Sequence, residues 1–254
     1  MNLGFYMPTK VIVGKDCVRE NSDVFKIGKK ALIVTGKKSA KLSGALDDVK
    51  YALEKNNIEY VIFDKVMSNP TVECVYDGAE TAMEEEVDFV IAIGGGSPMD
   101  AAKAAAAKSV RPEKKITQLA GLLKVGRPLP PIIAIPTTSG TGSETTVAAV
   151  ITDRETNHKC AIMDLNLIPH YAILDPELTL GLPPRTTATT GMDALTHAVE
   201  AYCNRFCSPK MKAHAMKAVS LIGANLLTAY REPANKAAPV SYTHLRAHET
   251  LSDL

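Results

Sequence analysis

Val87-Asp88-Phe89-Val90-Ile91-Ala92-Ile93-Gly94-Gly95-Gly96-Ser97-Pro98-Met99-Asp100 decides how this chain is read. Its first half is a short, almost continuously apolar, β-branched run, the pattern of a strand buried on both faces. Three glycines come next, which let the backbone come close to a ligand. Ser97 suits an N-cap, Pro98 suits the first helical position, and Asp100 can answer Ser97 across a capping box. A helix that starts there directs free N–H groups at any anion in the turn, and a pyrophosphate is the natural occupant. The turn is neither the G-x-G-x-x-G fingerprint nor a P-loop, since no G-K-[ST] follows. Alone it supports a phosphate site, with a merely well-capped turn as the plain alternative.

Outward from this unit the same alternation continues. Strand candidates are Ala31 to Thr35, Tyr60 to Phe63, Phe89 to Ile93 and Ile132 to Ile135. Helical periodicity falls between them at Lys41 to Asn56, Val72 to Glu86 and Pro98 to Ser109. That order predicts an α/β fold with a mostly parallel sheet. Val147 to Thr152 and Cys160 to Met163 read as an antiparallel hairpin, and Tyr171 to Leu174 as a returning strand. After Leu182-Pro183-Pro184 the texture becomes helical only, at Thr187 to Asn204 and Pro209 to Tyr230. The expected division is therefore an α/β domain over 1–182 and the start of an all-helical domain over 183–238. From Pro239 the stretch PVSYTHLRAHETLSDL fits neither texture and resembles translated adaptor or vector sequence, so 239–254 reads as a non-native tail. Its His244 and His248 have a metal-ligand spacing and are set aside as a decoy.

Composition excludes several classes of function. Lys plus Arg total 29 against 28 Asp plus Glu, leaving no basic excess to neutralise nucleic acid or hold an anionic membrane surface. No apolar run approaches the roughly 18 residues of a membrane span, and MNLGFYMPTK lacks the pattern of a secretory signal. The five scattered cysteines form no C-x-x-C pair, which speaks for a reduced, cytoplasmic protein with buried thiols. Cys203 and Cys207, four apart on an expected helix, are the one pair that could share a metal.

Two further motifs carry chemistry. Pro136-Thr137-Thr138-Ser139-Gly140-Thr141-Gly142-Ser143-Glu144 follows a strand, at the carboxyl end where open α/β sheets bind ligands. Two such loops in one sheet favour nucleotide binding. In the helical part, Gly191-Met192-Asp193-Ala194-Leu195-Thr196-His197-Ala198-Val199-Glu200 puts Asp193 and His197 on one helix face, where a carboxylate and an imidazole can ligate a divalent metal or simply form a solvated pair.

Taken together and in order, GGGSPMD, PTTSGTGSE and GMDALTHAVE resemble the iron-containing alcohol dehydrogenase family, sometimes called group III, over about residues 7–238. The resemblance implies a Rossmann-like cofactor domain followed by a helical metal-binding domain, an arrangement like that of dehydroquinate synthase, with the helical part incomplete. It implies NAD(P) with its pyrophosphate at the turn holding Gly95, Gly96, Ser97 and Asp100. Asn69, Thr137, Thr138 and Thr141 would line the nicotinamide side, and Lys159 would reach the ribose. Asp193 and His197 would be two of four ligands to Fe2+, with Zn2+ as the alternative, and the other two histidines are not found at matching positions. His158, His170 and His214 do not match them. The substrate would be a small alcohol or aldehyde, primary or short-chain. Assembly as a homodimer is left open. Where many members carry an acidic residue after the first α/β strand, this chain has Gly36, then Lys37 and Lys38, so NADP(H) is expected to be admitted. Two alternatives stand beside this reading: a zinc-dependent polyol dehydrogenase of the glycerol type, and a nucleotide-binding fragment without catalysis.

Overall fold

The computed structural model describes residues 8–180 and 182–232. In chain order it holds β1 (Lys10–Val13), α1 (Cys17–Glu20), β2 (Lys30–Gly36), α2 (Ser39–Leu42), α3 (Ala45–Lys55), β3 (Glu59–Val66), α4 (Val72–Glu84) and β4 (Phe89–Gly94). Then come α5 (Gly96–Val110), α6 (Ile116–Leu119), β5 (Gly121–Leu122), β6 (Ile132–Pro136), β7 (Ala148–Asp153), β8 (His158–Met163), β9 (Tyr171–Leu174), α7 (Pro184–Cys203) and α8 (Pro209–Arg231). The expected non-native tail over 239–254, with His244 and His248, lies outside the described residues.

Six strands form one sheet in the order β1-β9-β6-β4-β2-β3, and every neighbouring pair is parallel. The expected α/β architecture is thus present. Side chains alternate across β4 and its neighbours: Val90 and Ala92 join Leu32, Val34, Ile132 and Ala134 beneath α4 and α5. Phe89, Ile91 and Ile93 join Ala31, Ile33, Ile133 and Ile135 beneath α1 and α3 on the other face. Both faces being covered, the strands read as continuous apolar runs. The hairpin is confirmed as β7 antiparallel to β8, with β5 on the outer edge of a small second sheet.

Three local expectations are corrected. The helix expected over Lys41 to Asn56 is split into α2 and α3 by Gly44, whose φ of 81° ends the first segment and caps the second. Ser97 is not the N-cap of α5: the helix starts two residues earlier than Pro98 predicts, with Gly95 as cap and no capping box. The close-packed glycine turn allows helical geometry immediately, which moves Ser97 and Asp100 to other partners. Cys203 ends α7 and Cys207 lies beyond it, so the two do not share a helical face. The strand β1 has no counterpart among the expected strands, because four half-exposed residues at a sheet edge carry little pattern.

From Pro184 on, the described residues form two helices, α7 and α8, joined by a short turn over 204–208. α7 and α8 pack on each other through Ala194, Ala198, Ala218, Ile222 and Ala229, while Met192, Val199, Tyr202, Phe206 and Leu227 remain exposed. No helix among the described residues is long and apolar enough to cross a membrane.

Ile91 is fully buried at the centre of the sheet, so Ile91→Ala should cost about 2–5 kcal/mol, read as a lowered midpoint in urea unfolding at unchanged slope.

Candidate functional site

Parallel strands place all their carboxyl ends on one edge, so Gly36, Val66, Gly94 and Pro136 end side by side. From β2 the chain crosses to β3 on one side and later to β4 on the other, so the strand order reverses between β2 and β4. A crevice opens at such a reversal. Gly36 and the Gly94–Ser97 turn stand on its two banks.

The turn is built by two glycines with different tasks. Gly94 has φ 145°, outside the range that side-chain-bearing residues adopt readily. Gly96 is required by proximity, because a Cβ there would lie 2.9 Å from Thr141 Cγ2. The threonine loop therefore rests directly on the glycine turn. It is fastened at its start by the Thr137 N–H, which donates to the Gly94 carbonyl at 2.9 Å. Beyond Gly95, α5 presents the N–H groups of its first turn and the positive end of a 15-residue helix.

Two hydroxyls in this part of the structure, Thr137 Oγ1 and Thr138 Oγ1, are buried and have no hydrogen-bond partner. Buried polar atoms are paired almost without exception. Thr9 Oγ1 is unpartnered too, but only the Thr137–Thr138 pair belongs to the loop that rests on the glycine turn, where a polar ligand would supply the missing partners. The residues fit a dinucleotide on that observation.

Asn69 follows β3 in left-handed backbone, φ 55°, and its N–H donates to Ser97 Oγ at 3.3 Å. The next residues couple this loop to the hairpin, since Thr152 N–H donates to the Pro70 carbonyl at 2.8 Å. Lys159 is the cross-strand partner of Thr152 and is exposed. The structure thus gathers Asn69, Gly95, Gly96, Ser97, Thr137, Thr138 and Thr141 at one edge, with Lys159 on the adjoining hairpin and Gly36 across the crevice. Asp100 points elsewhere: it accepts from Ser143 Oγ at 2.6 Å and from Val150 N–H at 3.1 Å. Burial pushes its carboxyl upward, partly offset by the Lys103 charge.

Lys103 was missed by sequence reasoning. It is 1% exposed and donates to the carbonyls of Ser143 and Thr146 at 2.6 and 2.8 Å. The available signal was a lone lysine with core alanines three and four positions on, within the run Ala101-Ala102-Lys103-Ala104-Ala105-Ala106-Ala107. Burial lowers its pKa to about 8, against the pull of Asp100 and Glu144.

Asp193 and His197 face one another on α7, with His197 Nε2 3.9 Å from Asp193 Oδ1 and both side chains half exposed. The helix is docked on the threonine loop, because Gly140 lies so close to Thr190 that a Cβ at Gly140 would overlap it. The carboxylate and imidazole suit a borderline divalent metal. Among the described residues no third His, Cys, Asp or Glu joins them. The donor set fits half a metal site.

The sequence model of the iron-containing alcohol dehydrogenase family matches residues 8–176, and that of the family's C-terminal part matches 187–247. The chain is 38% identical over 251 residues to the NADPH-dependent butanol dehydrogenase of Clostridium saccharobutylicum, covering 98% of this chain and 64% of that protein. It thus spans less than two-thirds of that relative's length. Among solved structures, an iron-containing alcohol dehydrogenase from Thermotoga maritima superposes with TM-score 0.89 at 38% identity, over 98% of this chain and 68% of the other. A sulfoacetaldehyde reductase from Bifidobacterium kashiwanohense, solved in complex with NAD+, superposes with TM-score 0.88 at 32% identity, over 99% and 67%.

A lysine whose folded pKa lies below its unfolded value leaves the unfolded chain holding the extra proton between the two, so its contribution to stability rises with pH there. Urea unfolding should show the wild type gaining on Lys103→Met as pH climbs from about 8 toward about 10.5. A constant gap across that window is the contrary result.

Proposed function

The chain belongs to the iron-containing alcohol dehydrogenase family, and on that premise we propose that it binds NAD(P) along the loop edge of its parallel sheet. The reaction it serves is metal-assisted hydride transfer between a primary or short-chain alcohol and that cofactor, giving an aldehyde or ketone. The observation that carries the reading is the pair of buried, unpartnered threonine hydroxyls beside the glycine turn. Residues 1–182 form the cofactor domain in this reading, and 183–238 begin the metal domain.

Gly95, Gly96 and Ser97 receive the pyrophosphate, where backbone N–H groups and the helix's positive end compensate its charge. Thr137, Thr138, Thr141 and Asn69 line the nicotinamide side and fix the ring's orientation, which keeps the reacting carbon within range of the hydride. Lys159 reaches the ribose from the hairpin. Gly36, followed by the exposed Lys37 and Lys38, leaves the adenosine ribose without a carboxylate to repel a 2′-phosphate. Asp193 and His197 hold Fe2+, or Zn2+ in its place, together with ligands outside the described residues. When bound, the nicotinamide carries the hydride and the metal supplies Lewis acidity toward the alcohol oxygen. Asp193 and His197 lie on the same helix as Thr190, the residue that touches the threonine loop, which sets the metal side next to the nicotinamide side.

A second reading has its own support. With two donors among the described residues, this chain binds the dinucleotide and does not turn over alcohol.

NADPH fluorescence titration should show saturable binding, and a Lys37→Glu, Lys38→Glu double variant should weaken NADPH by about tenfold while changing NADH little, since only the 2′-phosphate is a charge-assisted partner. NADH bound tighter than NADPH by wild type is the contrary result. Anaerobic metal analysis with Fe2+ and Zn2+ separates the catalytic reading from the binding-only one: a stoichiometric metal lost in His197→Ala, with alcohol-dependent NADPH formation, supports catalysis by this chain. Dinucleotide binding without either supports the second.

A further inference from the structure

The amino edge of the sheet carries a cavity of about 210 Å3. The five residues of β6 separate it from the threonine loop, a distance of about 15 Å. Its walls are apolar: Leu129, Leu165 and Ile168 stand beside Pro8, Pro128 and Pro169, and a proline has no N–H to offer. It opens to solvent between Pro8, Pro128, Leu165 and His170, which are exposed, while Leu129, Ile168 and Pro169 are buried. Thr9, next to Pro8, is 4% exposed, and its Oγ1 has no hydrogen-bond partner. The strand register gives the direction of that hydroxyl. Lys10 is opposite Tyr171, and Ile12, Tyr171 and Ile173 pack toward α1 and α3. Thr9 and His170, one step earlier on the two strands, therefore face the other side. Leu129 belongs to the core on that same side. The Lys10 N–H, which donates to the His170 carbonyl at 2.9 Å, carries the pairing down to this level.

We propose that this cavity is a second small-molecule site, which takes a small uncharged compound with an apolar body and one hydroxyl or carbonyl head. Size sets the first limit, since sites for drug-sized ligands enclose roughly 300–1,000 Å3. Charge sets the second. Among the described residues that line the cavity none is Lys, Arg, Asp or Glu, and the neighbouring Lys10 is turned away, its ammonium 5.5 Å from the centre of the Tyr171 ring. His170 Nδ1 accepts from the Ile132 N–H at 3.4 Å, and partial burial lowers the ring's pKa. The imidazole is thus neutral at pH 7, with its proton on Nε2. An ionised ligand would enter without a counter-charge, at a cost. Three groups serve an uncharged head: the orphaned Thr9 hydroxyl, the His170 Nε2–H and Asn166. The Asn166 amide nitrogen already donates to Asp164 Oδ1 at 2.7 Å, which leaves its oxygen to accept. The ligand supplies the partner that Thr9 lacks. Nothing in this inference depends on the dinucleotide reading of the opposite edge.

The test titrates the full chain with tert-butanol and follows its backbone amides by NMR. This alcohol has no hydrogen on its carbinol carbon, so hydride transfer cannot consume it and binding is read alone. Pivalate, a carboxylate of similar shape, is the charged comparison. The amides of Thr9, Leu129, Asn166 and His170 should shift saturably with tert-butanol, at the millimolar dissociation constant that suits so small a ligand. Pivalate should leave them in place. Thr9→Val keeps the side chain's shape and removes the orphaned hydroxyl. It should bind tert-butanol about fivefold more weakly, the loss of one hydrogen bond, and should unfold at a higher urea concentration than wild type, because a buried polar atom without a partner is gone. His170→Phe should also weaken binding by about fivefold. The wild-type titration stands even if neither variant folds. Absence of saturable shifts at the amino edge overturns the site, as does pivalate binding equal to that of tert-butanol. A Thr9→Val chain that binds tert-butanol as wild type does, or that unfolds at a lower urea concentration, overturns it as well.

Discussion

Six strands running in one direction impose most of the architecture of this molecule. A parallel neighbour cannot be reached by a tight turn, so each connection must cross a face of the sheet, and the crossing elements bury both faces. The same directionality lines up every strand's carboxyl end on a single edge. Loops far apart in the chain, after Gly36, Val66, Gly94 and Pro136, become neighbours there. The site is a consequence of strand direction before it is a consequence of any one residue.

The parts of this arrangement that could be read from residues alone are those with a strong local cause. Runs such as Phe89 to Ile93 are apolar at every position because both faces are covered, and no helix pattern competes with them. Glycine clusters after such runs mark close backbone approach, and the turn at Gly94 and the loop resting on Gly96 bear this out. The helix start differs from its expected place because Ser97 followed by Pro98 satisfies every local rule for a cap. Tertiary packing prevails, committing Ser97 to the Asn69 backbone and Asp100 to Ser143. Likewise nothing local distinguishes Lys103 from the surface lysines of other helices except that its neighbours are alanines. Its partners sit 40 or more residues away in the chain, so their convergence is visible only in three dimensions.

The juxtaposition of Asp193 and His197, the proposed metal side, was legible for a different reason. The four-residue spacing of Asp193 and His197 is itself a geometric statement once the segment is helical, and α7 places the two 3.9 Å apart on one face. What spacing does not supply is closure: a ligand set drawn from distant segments has no local signature, and within the described residues the pair has no third member. A candidate dinucleotide seat made from consecutive loop residues therefore leaves more trace in the sequence than a candidate metal seat whose donors come from separate segments.

The contact between Gly140 and Thr190 links the two halves of the molecule with no room for a methyl group. It acts as a datum, like a zero mark on a ruler, from which the distance between the threonine loop and α7 is measured. Anyone recombining the helical part of one family member with the sheet of another would have to treat positions 140 and 190 as a single unit. A larger residue at the first is tolerated only if the second shrinks, or if α7, and with it Asp193 and His197, is set back from the cleft.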